Sequence, residues 1–165
     1  MMGFAVGSAL SGVRTIYNHA RSDFLLLTFN QLFNVGTKYK YMFNGAYSVP
    51  LIVRCLVGYG WGAQHSQVLS SVLSSFPGIS VVCPSSPFDA KGLLLKASKC
   101  NFPVIFMEDF QLYNTYSEVP DSEYYIEFDE IERSSTGNDL TIVAISSAIL
   151  AIRDFMNNNK IANGP

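Results

Sequence analysis

The sequence predicts a three-layer α/β domain with a mostly parallel sheet, and three observations lead there. Val49–Val57, Ile79–Cys83 and Pro103–Glu108 are short apolar runs with little polar alternation, the pattern of strands buried on both faces. Helix-like segments with short connections separate the three runs, as parallel strands require. The chain has 165 residues, 48% of them hydrophobic and 15% charged. That is one domain's length, with less charge than the roughly 25% of typical domains.

The elements follow in chain order. Met2–Leu10 is small and apolar, and Gly12 is a candidate C-cap. Val13–Tyr17 is a short strand candidate. Ser22 and Asp23 offer an N-cap to a helical pattern running to about Phe43, with Phe24, Leu27, Leu32 and Val35 as its apolar positions. Asn44-Gly45 marks a turn before the strand Val49–Val57. A glycine-rich loop follows, then a helix from about Gln64 to Phe76. Pro77-Gly78 turns the chain into Ile79–Cys83. Ser86 as N-cap, Pro87 at the first helical position and Asp89 in the first turn open a helix to about Cys100. Pro103–Glu108 is the third buried strand. Residues 1–109 therefore read as the α/β domain. Residues 110–138, where Tyr113, Tyr116, Tyr124 and Tyr125 alternate with acids, Ser and Pro, read as a surface-hugging linker. Residues 139–165 read as the start of a second, C-terminal domain: a buried-strand pattern at Leu140–Ile145, a helix at Ala148–Asn157, then Asn163-Gly-Pro165.

Composition excludes several functions. A net charge of −2 and a pI of about 5.6 give no electrostatic reason to bind nucleic acid. Cys55, Cys83 and Cys100 are odd in number and sit in apolar runs, so they read as reduced, buried thiols of an intracellular protein. There is no Cys-x-x-Cys, and His19 and His65 lie far apart, so no zinc pattern exists. No apolar run is long enough to span a bilayer, and the N-terminus lacks a basic n-region. The expectation is a soluble protein without membrane contact, cytoplasmic, or of the mitochondrial matrix in a eukaryote.

Gly58-Tyr-Gly-Trp-Gly-Ala-Gln-His-Ser-Gln67 is the segment with the most chemical content. Its glycines permit tight turns and close ligand approach, and histidine is the side-chain type best suited to exchanging protons under physiological conditions. It reads as a cofactor or catalytic loop, or as a loop whose glycines serve only its path. The spacing Gly58-x-Gly60-x-Gly62 is not the dinucleotide fingerprint, and no acid ends the following strand. Ser66, His65 and Asp89 make a triad only on paper, because adjacent Ser and His point apart and no nucleophile elbow is present.

Four segments occur in order: Gly62-Ala-Gln-His-Ser-Gln67, Phe76-Pro-Gly-Ile-Ser-Val-Val-Cys-Pro84, Asp89-Ala-Lys-Gly-Leu93 and Asn101-Phe-Pro-Val-Ile-Phe-Met-Glu108. Gly3 to Arg14, Ser22 to Leu27 and Val49 to Arg54 extend the pattern. Together they resemble the beta subunit of the thiamine-diphosphate-dependent 2-oxo acid dehydrogenases of the pyruvate or branched-chain type. The resemblance implies a transketolase-like pyrimidine-binding domain whose cofactor lies between an alpha and a beta subunit. The alpha side would hold the diphosphate and Mg²⁺, the beta side the aminopyrimidine. Phe24 matches the aromatic that stacks on that ring; the alternative is a plain core Phe. His65 matches the active-site His near acyl transfer to the lipoyl arm, and Gln64 adjoins it at the cofactor. Related subunits bind K⁺ through backbone carbonyls, here matched by Leu51, Ala97, Ser98, Cys100 and Phe102, with Cys100 in place of the usual Asp. The family's essential Glu falls just before Met1, so the resemblance implies a piece truncated at both ends. The implied partners are an alpha subunit, a second beta subunit and a lipoyl-bearing acyltransferase. Two functional readings follow: a subunit of the decarboxylating enzyme, or a non-catalytic remnant that at most binds a partner.

Overall fold

The computed structural model of the chain describes residues 1–159; Asn163-Gly-Pro165 lies outside them. Among the described residues, four strands form one sheet: β1 (Thr15–His19), β2 (Leu51–Val57), β3 (Ser80–Val82) and β4 (Val104–Asp109), in the order β1-β2-β4-β3. All neighbours are parallel, with Tyr17 opposite Val53, Val53 opposite Ile105, and Val82 opposite Phe106. The three expected strands are present and parallel.

Side-chain alternation along each strand feeds two cores. Leu51, Val53, Cys55, Val57, Ile105 and Met107 face one side, where they meet α1 (Met2–Leu10) and the buried Leu25, Leu32, Phe33 and Leu73. Ile52, Val82, Val104 and Phe106 face the other, against Ala97, Leu93 and Leu94 of α4 (Pro87–Ala97). Both faces are covered, which gives the three layers. Burying each such aliphatic side chain contributes about 1.5–3 kcal/mol. Phe33, Phe29 and Phe76 extend the first core as an aromatic cluster, with the Phe33 and Phe76 rings stacked at 4.1 Å. α4 begins as the sequence implies: the Ser86 hydroxyl accepts from the Asp89 N–H at 3.1 Å, with Pro87 in the first turn.

Three expectations need correction. The continuous helix from Ser22 to Phe43 is instead a 3-10 helix (Ser22–Thr28), a π-helical stretch (Asn30–Gly36) and a short α2 (Tyr39–Met42). Thr28 and Thr37 return their hydroxyls to the carbonyls of Leu25 and Phe33 at 2.7 and 2.9 Å, and such back-bonding distorts a regular helix. The helix expected over Gln64–Phe76 is reduced to a 3-10 turn (Ala63–His65) and α3 (Ser70–Ser74). Between them the Gln67 backbone is held from outside: its N–H donates to Asp23 Oδ1 and its carbonyl accepts from Ser22 Oγ, both at 3.0 Å. Ser22 and Asp23 are thus a latch on the glycine loop, not a helix cap. Finally, Leu140–Ile145 is not a strand. Leu140 and Val143 are 76% and 78% exposed, and no ladder joins the segment to the edge strands β1 or β3. An apolar run without a sheet edge has nowhere to place its backbone hydrogen bonds except water. The helix after it, α5 (Ala148–Asn158), is present.

Part of the segment after β4 packs on α4. Tyr124 stacks on Phe88 at 4.5 Å. The Lys91 ammonium donates to the carbonyls of Pro120, Asp121 and Ser122. Gly92 makes room for this contact, since a Cβ there would sit 2.7 Å from the Ile126 and Tyr124 side chains.

Candidate functional site

Ligand sites in parallel α/β sheets lie outside the carboxyl ends of the strands, where neighbouring strands send their connections to opposite faces. Here β2 and β4 are such neighbours. The chain after β2 returns to the first core through Leu73, and the chain after β4 reaches the second through Phe128. The glycine loop leaves β2 at this point. Gly58 has φ 154°, and a Cβ on it would meet the Trp61 ring at 2.8 Å; only glycine lets the indole fold back over the strand end. Trp61 packs edge-on against Phe110, just past β4, at 4.9 Å. The Arg21 guanidinium lies 3.6 Å from the Trp61 ring centroid, a cation–π contact.

His65 sits on the 3-10 turn that ends this loop. Its Nδ1 is 3.2 Å from the Trp61 carbonyl. A carbonyl oxygen can only accept, so Nδ1 carries the hydrogen and Nε2 is the nitrogen free to exchange a proton. The Ser66 hydroxyl donates to the Gly62 carbonyl at 2.9 Å and accepts from the Trp61 N–H at 3.3 Å. It serves the loop's path, and Asp89 is bound to Ser85 and to the Ser86 cap, so no triad forms.

Phe24 and His65 meet edge to face, with ring centroids 5.4 Å apart at 70°. The chain positions that bring them together are 41 residues apart (65 minus 24), and the Ser22–Asp23 latch on Gln67 closes that distance. Phe24 remains 40% exposed, so its ring offers an apolar face outward. Gln64, next to His65 on the 3-10 turn, is exposed.

Residues that sequence reasoning passed over lie at the same end of the sheet. His19 closes β1, and Arg21 follows in extended conformation (φ −142°, ψ 137°). His19 Nε2 and Arg21 Nη1 are both buried without a hydrogen-bond partner. Burial holds His19 below the usual histidine range, although the Phe24 backbone beside it acts the other way. The available signal was a His and an Arg two positions apart at a strand's end.

Other groups are already engaged. Glu108 accepts from Arg54 Nε and Nη2 at 2.5 and 2.8 Å and from the Tyr113 hydroxyl at 2.9 Å. Burial and Glu108 push the Tyr113 phenol up to about 12. This trio lines a cleft of about 570 Å³ beside α4. A larger cleft, about 760 Å³, opens at the amino ends of the strands around Lys40, Asn44, Ile79 and Phe102. The carboxyl end is the better candidate on topology, because the loops that carry varied side chains converge there.

Of the positions matched to a K⁺ site, the Cys100 carbonyl accepts from Arg14 Nη1 at 2.6 Å and the Ala97 carbonyl from the Cys100 N–H at 3.1 Å. Two of these five carbonyls thus already accept from the chain's own donors, one of them the cationic Arg14. Among the described residues, no group of three or more His, Cys, Asp or Glu could hold a metal ion. Nor is any helix long and apolar enough to cross a membrane. Cys55, Cys83 and Cys100 are free thiols.

A parallel sheet covered on both faces, with a glycine loop and an aromatic pair at its carboxyl end, defines a three-layer α/β domain. Residues 1–115 match the family described as transketolase, pyrimidine binding domain, and the chain belongs to that family. It is 43% identical over 144 residues to the beta subunit of acetoin:2,6-dichlorophenolindophenol oxidoreductase from Cupriavidus necator, covering 86% of this chain and 43% of that one. The Bacillus subtilis protein of the same name is 42% identical over 150 residues, covering 90% and 44%. The pyruvate dehydrogenase E1 component subunit beta of Gracilaria tenuistipitata var. liui is 40% identical over 147 residues, covering 88% and 46%. The chain thus spans under half the length of each of these relatives. A solved structure, the split gene transketolase in an inactive beta4 tetramer, superposes with a TM-score of 0.58 at 17% identity, over 74% of this chain and 38% of that one. That likeness shows the shared fold.

Proposed function

We propose that this chain supplies the aminopyrimidine side of a thiamine diphosphate site in a beta subunit of the 2-oxo acid dehydrogenase type. The observation that carries the reading is the Phe24–His65 pair, 5.4 Å apart at the carboxyl end of a parallel sheet, in a chain of the pyrimidine-binding family. When bound, thiamine diphosphate supplies the electron sink for cleaving a bond beside a carbonyl. The exposed Phe24 ring gives the aminopyrimidine an apolar plane. His65, with Nδ1 committed to the Trp61 carbonyl, presents Nε2 for proton exchange during acyl transfer. Gln64 precedes His65 on the same turn and is exposed, free to reach the aminopyrimidine ring from there. An alpha subunit holds the diphosphate and Mg²⁺, a second beta subunit completes the assembly, and a lipoyl-bearing acyltransferase receives the acyl group. The relatives are named for acetoin and for pyruvate, so the substrate class is a small carbonyl compound. K⁺ has no part in this reading.

Saturation-transfer NMR with 4-amino-2-methylpyrimidine tests it. Transfer to the probe is expected for the wild-type chain, with strong loss in Phe24→Ala and no change in the distant Lys99→Gln. Equal transfer in Phe24→Ala, or none in the wild type, contradicts the reading.

A further inference from the structure

The Trp61 indole is held from the carboxyl ends of three strands. Gly58, directly after β2, leaves room for it, since a Cβ there would meet the ring at 2.8 Å. Phe110, directly after β4, packs edge-on to it at 4.9 Å. Arg21, just past β1, lays its guanidinium 3.6 Å from the ring centroid. The indole is the contact that compensates this cation. Arg21 Nη1 is buried without a hydrogen-bond partner, and neither ion pair among the described residues includes Arg21. A cation–π contact strengthens as the pair leaves water, so the two side chains fix one another.

The peptide groups of Trp61 in turn hold the 3-10 turn that follows. Its N–H donates to Ser66 Oγ at 3.3 Å, and its carbonyl accepts from His65 Nδ1 at 3.2 Å. Arg21 reaches the other ring of the pair as well, because its carbonyl accepts from the Phe24 N–H at 3.3 Å. One residue thus braces Phe24 directly and His65 through the indole. Which imidazole nitrogen carries the hydrogen is set by the hydrogen bond that the other ring nitrogen makes or lacks. An unheld imidazole in water favours the Nε2–H form, and the Trp61 carbonyl selects the opposite one.

We propose that Arg21 and Trp61 are positioning residues for His65: the cation-clamped indole keeps the Trp61 carbonyl on Nδ1 and leaves Nε2 as the bare nitrogen. The inference rests on the aminopyrimidine reading for the part His65 plays in acyl transfer, but the hydrogen's position on the ring is measured without any pyrimidine.

The chain has two histidines, so long-range ¹H–¹⁵N spectra of the imidazole nitrogens suffice, and His65→Gln assigns the His65 signals by their loss. The spectra are read at the alkaline end of a pH series. In the wild type, Nδ1 carries the hydrogen of the neutral ring. Arg21→Gln raises the Nε2–H share at least about twofold, the weak end of a cation–π contact. Trp61→Leu does the same, and the double variant goes no further than the larger single change, as residues acting through one contact require. Arg21→Lys keeps a cation over the ring and restores most of the wild-type ratio. Lys99→Gln, which removes the distant cation over Tyr125, leaves it unchanged. A merely structural Arg21 would lower the urea midpoint and leave the ratio where it is. A predominantly Nε2–H ring in the wild type, or an unmoved ratio in a folded Arg21→Gln, overturns the proposal. Should Arg21→Gln not fold, Trp61→Leu decides: a shifted ratio supports the proposal and an unmoved one counts against it. The expected ratios in a chain that does not bind 4-amino-2-methylpyrimidine support the bracing and contradict the aminopyrimidine reading.

Discussion

Two apolar runs in this chain meet opposite fates. Leu51–Val57 becomes the central strand β2, paired on both edges and buried on both faces. Leu140–Ile145 is as apolar in sequence, yet lies exposed and unpaired. The difference is in the neighbours. β2 has β1 and β4 to satisfy its backbone and two helical layers to cover its side chains, whereas 140–145 has neither. Hydrophobicity proposes a strand, and actual pairing with a neighbour decides it.

Substitutions sharpen that contrast. Ile105 is fully buried in β4 and Ile145 is 67% exposed. Ile105→Ala should cost about 2–5 kcal/mol of unfolding free energy, and Ile145→Ala less than about 0.5 kcal/mol, both read from urea denaturation. Equal losses at the two sites would erase the distinction.

The stretch around Tyr124 and Ile126 is intermediate, since it docks on α4 through the space left by Gly92. Gly92→Val forces a side chain into those contacts and should cost about 1–3 kcal/mol. Limited proteolysis should then cut between residues 118 and 130 at least several-fold faster. An unchanged cleavage rate would mean that this stretch does not depend on the Gly92 surface.

The latch comes next in size. Asp23→Ala removes the acceptor of the Gln67 N–H and should cost about 1–3 kcal/mol, with a change in Trp61 emission as the glycine loop loosens. Stability lost with emission unmoved would separate the latch from the loop.

The smallest effects are protonic. Burial pushes Cys55 and Cys83 up to about 12 and about 11 from a usual 9.0. Their folded values exceed their unfolded ones, so the native state keeps these protons longer. Native stability should therefore fall as pH rises from about 9 toward 11. At pH 8, native Cys55 and Cys83 should alkylate at least about 100-fold more slowly than in the urea-unfolded chain. His19 runs the other way. Its folded value is depressed by burial, so its stabilising contribution is present above about 6.5 and is lost as pH falls through that range. His19→Phe should flatten this part of the stability profile.

Much of the fold was legible because β2, β3 and β4 are continuous apolar runs, and because Ser86-Pro87 is a local signal that needs no tertiary context. The Ser22–Phe43 helix was not legible. Its departure comes from Thr28 and Thr37 returning hydroxyls to carbonyls, a choice that apolar spacing does not encode. The shortened helix after the loop has a non-local cause, the grip of Ser22 and Asp23 on Gln67 across 44 and 45 residues of chain. Phe24 and His65 could be named from resemblance, but only the structure shows them in contact. His19 and Arg21 were passed over because an orphaned donor is a property of packing, invisible in the residue string.

The central claim is that the carboxyl end of the sheet, and not the exposed C-terminal stretch, is where this chain meets its ligand. The most direct measurement is an amide ¹⁵N–¹H spectrum recorded while 4-amino-2-methylpyrimidine is added. The account predicts shifts clustered at Phe24, Gln64 and His65, with the amides of Leu140 to Ile145 unmoved. Shifts centred on residues 140–145, or on the cleft around Lys40 and Phe102 at the opposite end of the sheet, would contradict it.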